Sequence, residues 1–362
     1  MQGEKEAGAL LGVTVVCMLL AGCGVKEKLV SEDNAPMSVA QAFQSVLLNE
    51  KEFSCTDKKP HDWLKVVRDF EGYLKEIPYG YEGKTSITQF AIVDMDGDTL
   101  PEVVLAIEEY YGYIILRYRE GQIFGNVVGI REMGSLNIAG AFYSSSGAAD
   151  GGIGKFYFVG DTIVSNEAVR MTDQDAFYIH DTISDKETWD EMNNLFAESP
   201  EVEWYDFTEE QINKAIVENP SFTELPSEPS DNAGKRQQYI DSLSYLIELT
   251  YDMSKKKEED YKKDAKAYLE GCVQEMDKIY QLCQEKLSGE ALEALQEEQE
   301  RWLENYKRRT NRELAVSKLG NMDELLESDI GHKYWIYGDM ILRRTLALID
   351  LYYEWDFYDS LF

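Results

Sequence analysis

FAIVDMDGDTLPEVVLAI (residues 90–107) sets three aspartates at alternate positions between two runs of β-forming residues, and a fourth acid, Glu102, closes the polar stretch. The flanks are rich in Val, Ile and Phe, as strands are, while Gly97 and Pro101 punctuate the turn between them. Counted from Asp94 as position 1, carboxylates fall at positions 1, 3, 5 and 9: Asp94, Asp96, Asp98 and Glu102. Leu100, at position 7, offers its backbone carbonyl. A hard cation such as calcium collects oxygens from alternate residues of a tight turn in this rhythm. Two readings stay open: a structural calcium loop, or a polar hairpin whose aspartates cap backbone amides without a metal. Neither is catalytic, because no positioned base or nucleophile stands beside the loop.

Outward from this loop the strand texture continues. Between Thr85 and Thr172, SITQFAIV, EVVLAI, YIILRY, QIFGNVVGI and KFYFVGDTIVS are separated by glycines, which predicts a strand-turn meander. Glu120-Gly121 and Gly160-Asp161 fall where hairpin turns need positive φ. KETWDEMNNLF and TEEQINKAIVE read as helices, the second with Thr208 and Gln211 spaced as a capping box. Pro220, Pro226 and Pro229 then mark a polar, semi-stiff linker. Beyond it β signal almost vanishes. Met276, Ile279, Cys283 and Leu287, and later Leu295, Gln299, Trp302 and Tyr306, recur at helical spacing. With stretches near 237–253 and 333–353 they predict a four-helix bundle. The expected fold class is α+β: an antiparallel β-rich domain with flanking helices over 38–222, a linker over 223–235, and an all-α bundle over 236–362.

The chain carries 36 basic and 68 acidic side chains, a formal net charge of −32. Such a surface repels nucleic acid and favours cationic partners or divalent metal, or serves solubility alone. The three histidines, His61, His180 and His332, are isolated, which argues against a histidine-ligated metal. GGIGKF lacks the first Gly and the terminal Ser or Thr of a phosphate loop, and YSSSG lacks the elbow of hydrolases. The expectation is a binding protein and not an enzyme.

AGALLGVTVVCMLLAGC (residues 7–23) is too short for a comfortable membrane span and ends in small residues, like a secretory signal. Leu20-Ala21-Gly22-Cys23 resembles the lipobox of bacterial lipoproteins. The resemblance implies that residues 1–22 are a signal peptide, that Cys23 is acylated and holds the chain to the lipid bilayer, and that 23–37 is a tether. Lys5 between Glu4 and Glu6 departs from the usual positive start. Cys55, Cys272 and Cys283 would remain. Three thiols cannot all pair, and Cys272 and Cys283 lie about 16 Å apart along one helix.

The loop at 94–102 resembles the calcium loops of FG-GAP and dockerin-type modules and the DxDGDGxPE domain of Gram-positive lipoproteins. Thr99 stands where those loops carry Gly. CVQEMDKIYQLCQEKL, LQEEQERWLENYKRR and ILRRTLALIDLY resemble the LprI-type, lysozyme-inhibitor-like family, through Cys272, Asp277, Tyr280, Leu287, Gln299, Trp302 and Arg343/Arg344 to Leu348. Read bottom-up, Trp302, Tyr280 and Met276 are core residues, and Gln299 meets a buried polar partner. GHKYWIYGD and the tail YYEWDFYDSLF are either contact surfaces or aromatics packed onto the bundle. The combined expectation is a lipid-anchored protein on the extracellular face of a Gram-positive membrane. It would be a non-enzymatic binder engaging a cationic protein such as a c-type lysozyme, with calcium as a structural cofactor. An envelope glycan- or protein-binding module, and a cell-wall hydrolase without recognisable motifs, are the alternatives.

Overall fold

The computed structural model describes residues 37–59, 62–68, 86–107, 112–145, 150–171, 177–179, 182–223, 231–250, 257–310 and 331–354. Cys23, the signal segment, the tether, His61, His180 and the end of the aromatic tail lie outside them. The chain from Met37 onward forms one compact unit.

Its first sheet has seven strands. A hairpin of β1 (Phe53–Lys59) and β2 (Asp62–Arg68) precedes β3 (Ile87–Val93), β4 (Glu102–Ile107), β5 (Gly112–Arg119) and β6 (Gln122–Val128). The short β13 (Tyr205–Asp206) returns late to the other edge, giving the order β13-β3-β4-β5-β6-β1-β2. All neighbours are antiparallel except β1 and β6. The second sheet runs β12-β11-β10-β9-β8-β7, built on β9 (Gly151–Val159) and β10 (Thr162–Met171), with β7 (Ser135–Leu136), β8 (Phe142–Ser144), β11 (Phe177–Ile179) and β12 (Thr182–Ser184) around them. The meander expected from the sequence is present; β1 and β2 add to it. Glu120 and Gly121 have φ of 50° and 84°, the pair of positive values that a two-residue hairpin turn demands.

Alternation along the strands sorts the side chains into layers. On β4, Val103, Leu105 and Ile107 face a helical cover, while Val104 faces the second sheet. The cover comprises α1 (Val39–Leu47), the helical segment of α3 (Glu209–Ile212) with its π-helical continuation Asn213–Val217, and α4 (Pro220–Thr223). Ser38 and Gln41 cap α1 reciprocally. On β9, Phe156 and Phe158 point into the sandwich, whereas Ile153, Tyr157 and Val159 point out of it. Onto that outer face pack α5 (Asp231–Ser242), α6 (Ser244–Thr250), α7 (Glu258–Lys286), α8 (Glu290–Thr310) and α9 (Gly331–Tyr352), while α2 (Lys186–Glu198) flanks β10 and β11.

The helices therefore share one core with the second sheet, so the boundary at 223–235 separates composition and does not separate cores. The helix expected near 237–253 begins earlier, at Asp231, and breaks at Leu243. Its first turns turn Arg236 and Gln237 inward, so the apolar period that marks other helix starts is missing. Cys55, Cys272 and Cys283 are buried and none is in a disulfide. Trp302 and Met276 are fully buried, and Gln299 accepts from Arg344 Nε at 2.8 Å. Tyr334 and Trp335 of GHKYWIYGD are core residues of α9, whereas the adjacent Ile336 is 47% exposed. Helix α9 packs on α7 through Gly338, where a Cβ would lie 2.4 Å from the Tyr268 ring.

Candidate metal centre

The β3–β4 register pairs Val93 with Glu102, so the loop 94–101 leaves and re-enters the sheet at one end of the sandwich. Four aspartate-to-amide bonds shape it. Asp94 accepts from the Gly97 and Thr99 amides at 2.7 and 3.0 Å, Asp96 from Asp98 at 3.1 Å, and Asp98 from Leu100 at 2.7 Å. Glu102 reaches back to the Met95 amide at 2.9 Å. The aspartates thus do cap backbone amides, but a carboxylate has four lone-pair sites and each retains acceptor capacity.

Three of the five expected ligands converge. Asp94, Asp96 and Glu102 each offer an oxygen within 4.8 Å of the others. Oxygens bound to one calcium at about 2.4 Å can be no farther apart than roughly 4.8 Å, so the spacing fits one ion. Asp98 stands beside this group, within 3.8 Å of Arg117, and Leu100 packs its side chain toward the α1-side core. Asp96 is 3% exposed, and its Oδ2 is buried without a hydrogen bond. The donor set is all oxygen, which suits a hard cation.

Thr99 explains how the loop manages without Gly at its sixth position. It adopts φ of 76°, the left-handed conformation that Gly would take without strain. Its side chain is exposed and nothing in the structure offsets that cost. Thr99→Gly is therefore expected to stabilise the fold by about 1 kcal/mol in urea denaturation.

The charge balance is the site's second feature. Arg117 continues the β4–β5 register opposite Glu102 and is 6% exposed, with its guanidinium over the Phe158 ring at 4.7 Å. Its nitrogens lie 3.4 Å from Asp96, 3.8 Å from Asp98 and 4.0 Å from Glu102. Arg117 Nε and Nη1 nevertheless make no hydrogen bond. One guanidinium faces several buried acids, and the acids show the deficit. Burial, then the nearby Asp96 charge, raises Asp94, raises Asp98 to about 7, and pushes Glu102 well above the carboxylate range.

With no cation bound, these raised values favour the fold fully only below the ordinary carboxylate range. That stability is lost as pH rises through about 7. Lys155, pushed down to about 8 by burial, changes its contribution only from there upward. In chelator, the melting temperature should fall by roughly 5 °C between about pH 5 and about pH 8 in scanning calorimetry. A flat profile would mean that the acids are not strained.

Sequence reasoning missed the basic partners. Arg236 on α5 donates Nη1 to the Asp96 carbonyl at 3.0 Å and Nε to Asp350 of α9 at 2.7 Å. Asp350 also receives the Tyr157 hydroxyl. Arg236, Asp350 and Tyr157 are all buried. The signal was present as a charge inside an apolar run, Arg117 in YIILRY and Asp350 in LALIDLY. No protein family, curated protein or solved structure matches the chain.

Proposed function

We propose that the chain is a lipid-anchored, non-enzymatic binding protein of the outer face of a Gram-positive membrane, with a structural calcium ion in the loop from Asp94 to Glu102. The observation that carries the metal reading is the convergence of Asp94, Asp96 and Glu102, with a buried Asp96 Oδ2 that makes no hydrogen bond and meets the Arg117 guanidinium only at 3.4 Å. Bound there, calcium would neutralise the acids that Arg117 leaves unbalanced; Asp94, Asp96 and Glu102 would hold it, with Asp98 beside them. The lipid anchor rests on the Leu20-Ala21-Gly22-Cys23 sequence.

The proposed partner is a cationic protein such as a c-type lysozyme. Besides the LprI-like sequence, the net charge of −32 supports this, as do Glu293, Glu297, Glu300 and Glu304, exposed along α8 at helical spacing. Surface plasmon resonance against a c-type lysozyme at low and physiological salt tests it, and silence at low salt would remove that partner.

For the ion, saturating calcium at about a hundredfold its Kd adds about 2.7 kcal/mol to stability. Wild type should therefore melt several degrees higher in calcium than in chelator, and Asp96→Asn should lose that difference. A wild type indifferent to calcium would leave the loop as a capped turn.

A further inference from the structure

A cavity of ≈ 520 Å³ lies between the second sheet and helices α6, α7 and α9, away from the acidic loop. Its volume is that of a small-molecule site. Its apolar wall includes Val164, Tyr268, Trp335 and Leu342. The Tyr268 and Trp335 rings sit 4.8 Å apart and tilted, locked by burial. Such rigid aromatics favour a flat ligand face and lose little entropy on contact.

The polar groups decide the sign of the ligand. Three carboxylates border the cavity, and each already holds a donor. Glu167 accepts from the Ser144 hydroxyl, Asp339 from the Tyr268 hydroxyl at 2.6 Å, and Glu132 from the Gly129 amide at 2.9 Å. Arg343 differs. Its Nε is buried without a hydrogen bond, and its guanidinium makes no ion pair among the described residues. A buried donor left unmade costs about as much as a lost hydrogen bond, and more when charged. Among the described residues, two buried donors at this cavity thus lack a hydrogen bond, Trp335 Nε1 and Arg343 Nε. Beside the solvent-exposed Arg131, the charged one is a planar cation shaped to take a carboxylate in a two-point grip.

We propose that the cavity binds a small organic carboxylate with a flat apolar body, its anionic end on Arg343 and its body against Trp335 and Tyr268. This is independent of the calcium loop and of any protein partner.

Isothermal titration of the full chain with 2-naphthoate, against the neutral 2-naphthamide, tests it. Saturable one-site binding of naphthoate, weakened about tenfold or more by Arg343→Gln, is expected. Naphthamide should bind more weakly than naphthoate and respond little to Arg343→Gln. Val164→Phe, which enlarges the helix-facing wall of the cavity, should abolish both while the melting temperature of Arg343→Gln stays near wild type. No saturable binding of either probe would overturn the site. Binding of naphthoate unchanged by Arg343→Gln would overturn the carboxylate assignment, and binding that survives Val164→Phe would overturn the location.

Discussion

Arg117→Met should turn the fold into one that needs calcium. Met keeps much of the aliphatic stem against Phe158 but removes the charge that faces Asp96, Asp98 and Glu102 from 3.4 to 4.0 Å. Breaking a buried ion pair by removing one partner costs about 3–5 kcal/mol, because the remaining charge stays buried. In chelator the variant should lose stability of that order, with the acids protonating to reduce the loss. In calcium most of the loss should disappear, since the ion supplies the missing charge. Urea midpoints measured with calcium and with chelator separate the two. Equal losses in both would show Arg117 to be the site's resident cation and remove the ion from the loop.

Arg236→Ala is the second large effect. It leaves Asp350, 2% exposed, with the Tyr157 hydroxyl and the more distant Lys155 charge, and leaves the Asp96 carbonyl without its donor. The same arithmetic gives a loss of about 3–5 kcal/mol. Replacing both charges by apolar groups of similar volume, Arg236→Met with Asp350→Leu, should recover a large part of it, because no lone charge remains. Chemical denaturation of the two single variants and the double variant closes the cycle. A double variant as unstable as the sum of the singles would mean that the pair contributes no coupling.

The strands of the meander were legible because their apolar runs are bounded by glycines and turn pairs, and Glu120-Gly121 carries its positive φ in the letters themselves. The acidic loop was legible for the same reason: ligand spacing within nine residues is local. What stayed hidden is long-range. Nothing local says that the helices share a core with β9, because Tyr157 and Val159 alternate with Phe156 and Phe158 in a strand buried on both faces. Nor does composition say which of 68 acids faces Arg236. Charges inside apolar runs were the available hint, and only the fold assigns their partners.

The bond from Arg236 to the Asp96 carbonyl also has a consequence in time. It joins residues 140 positions apart, and the same guanidinium reaches a further 114 positions to Asp350. Contacts of such span are closed late, after the loop-closure entropy between them has been met. In a chain that emerges N-terminus first, the acidic turn is made early, Arg236 follows on α5, and the Asp350 that holds this arginine arrives only with the last described helix. The turn therefore stays incomplete through most of synthesis, and it matures when α9 docks.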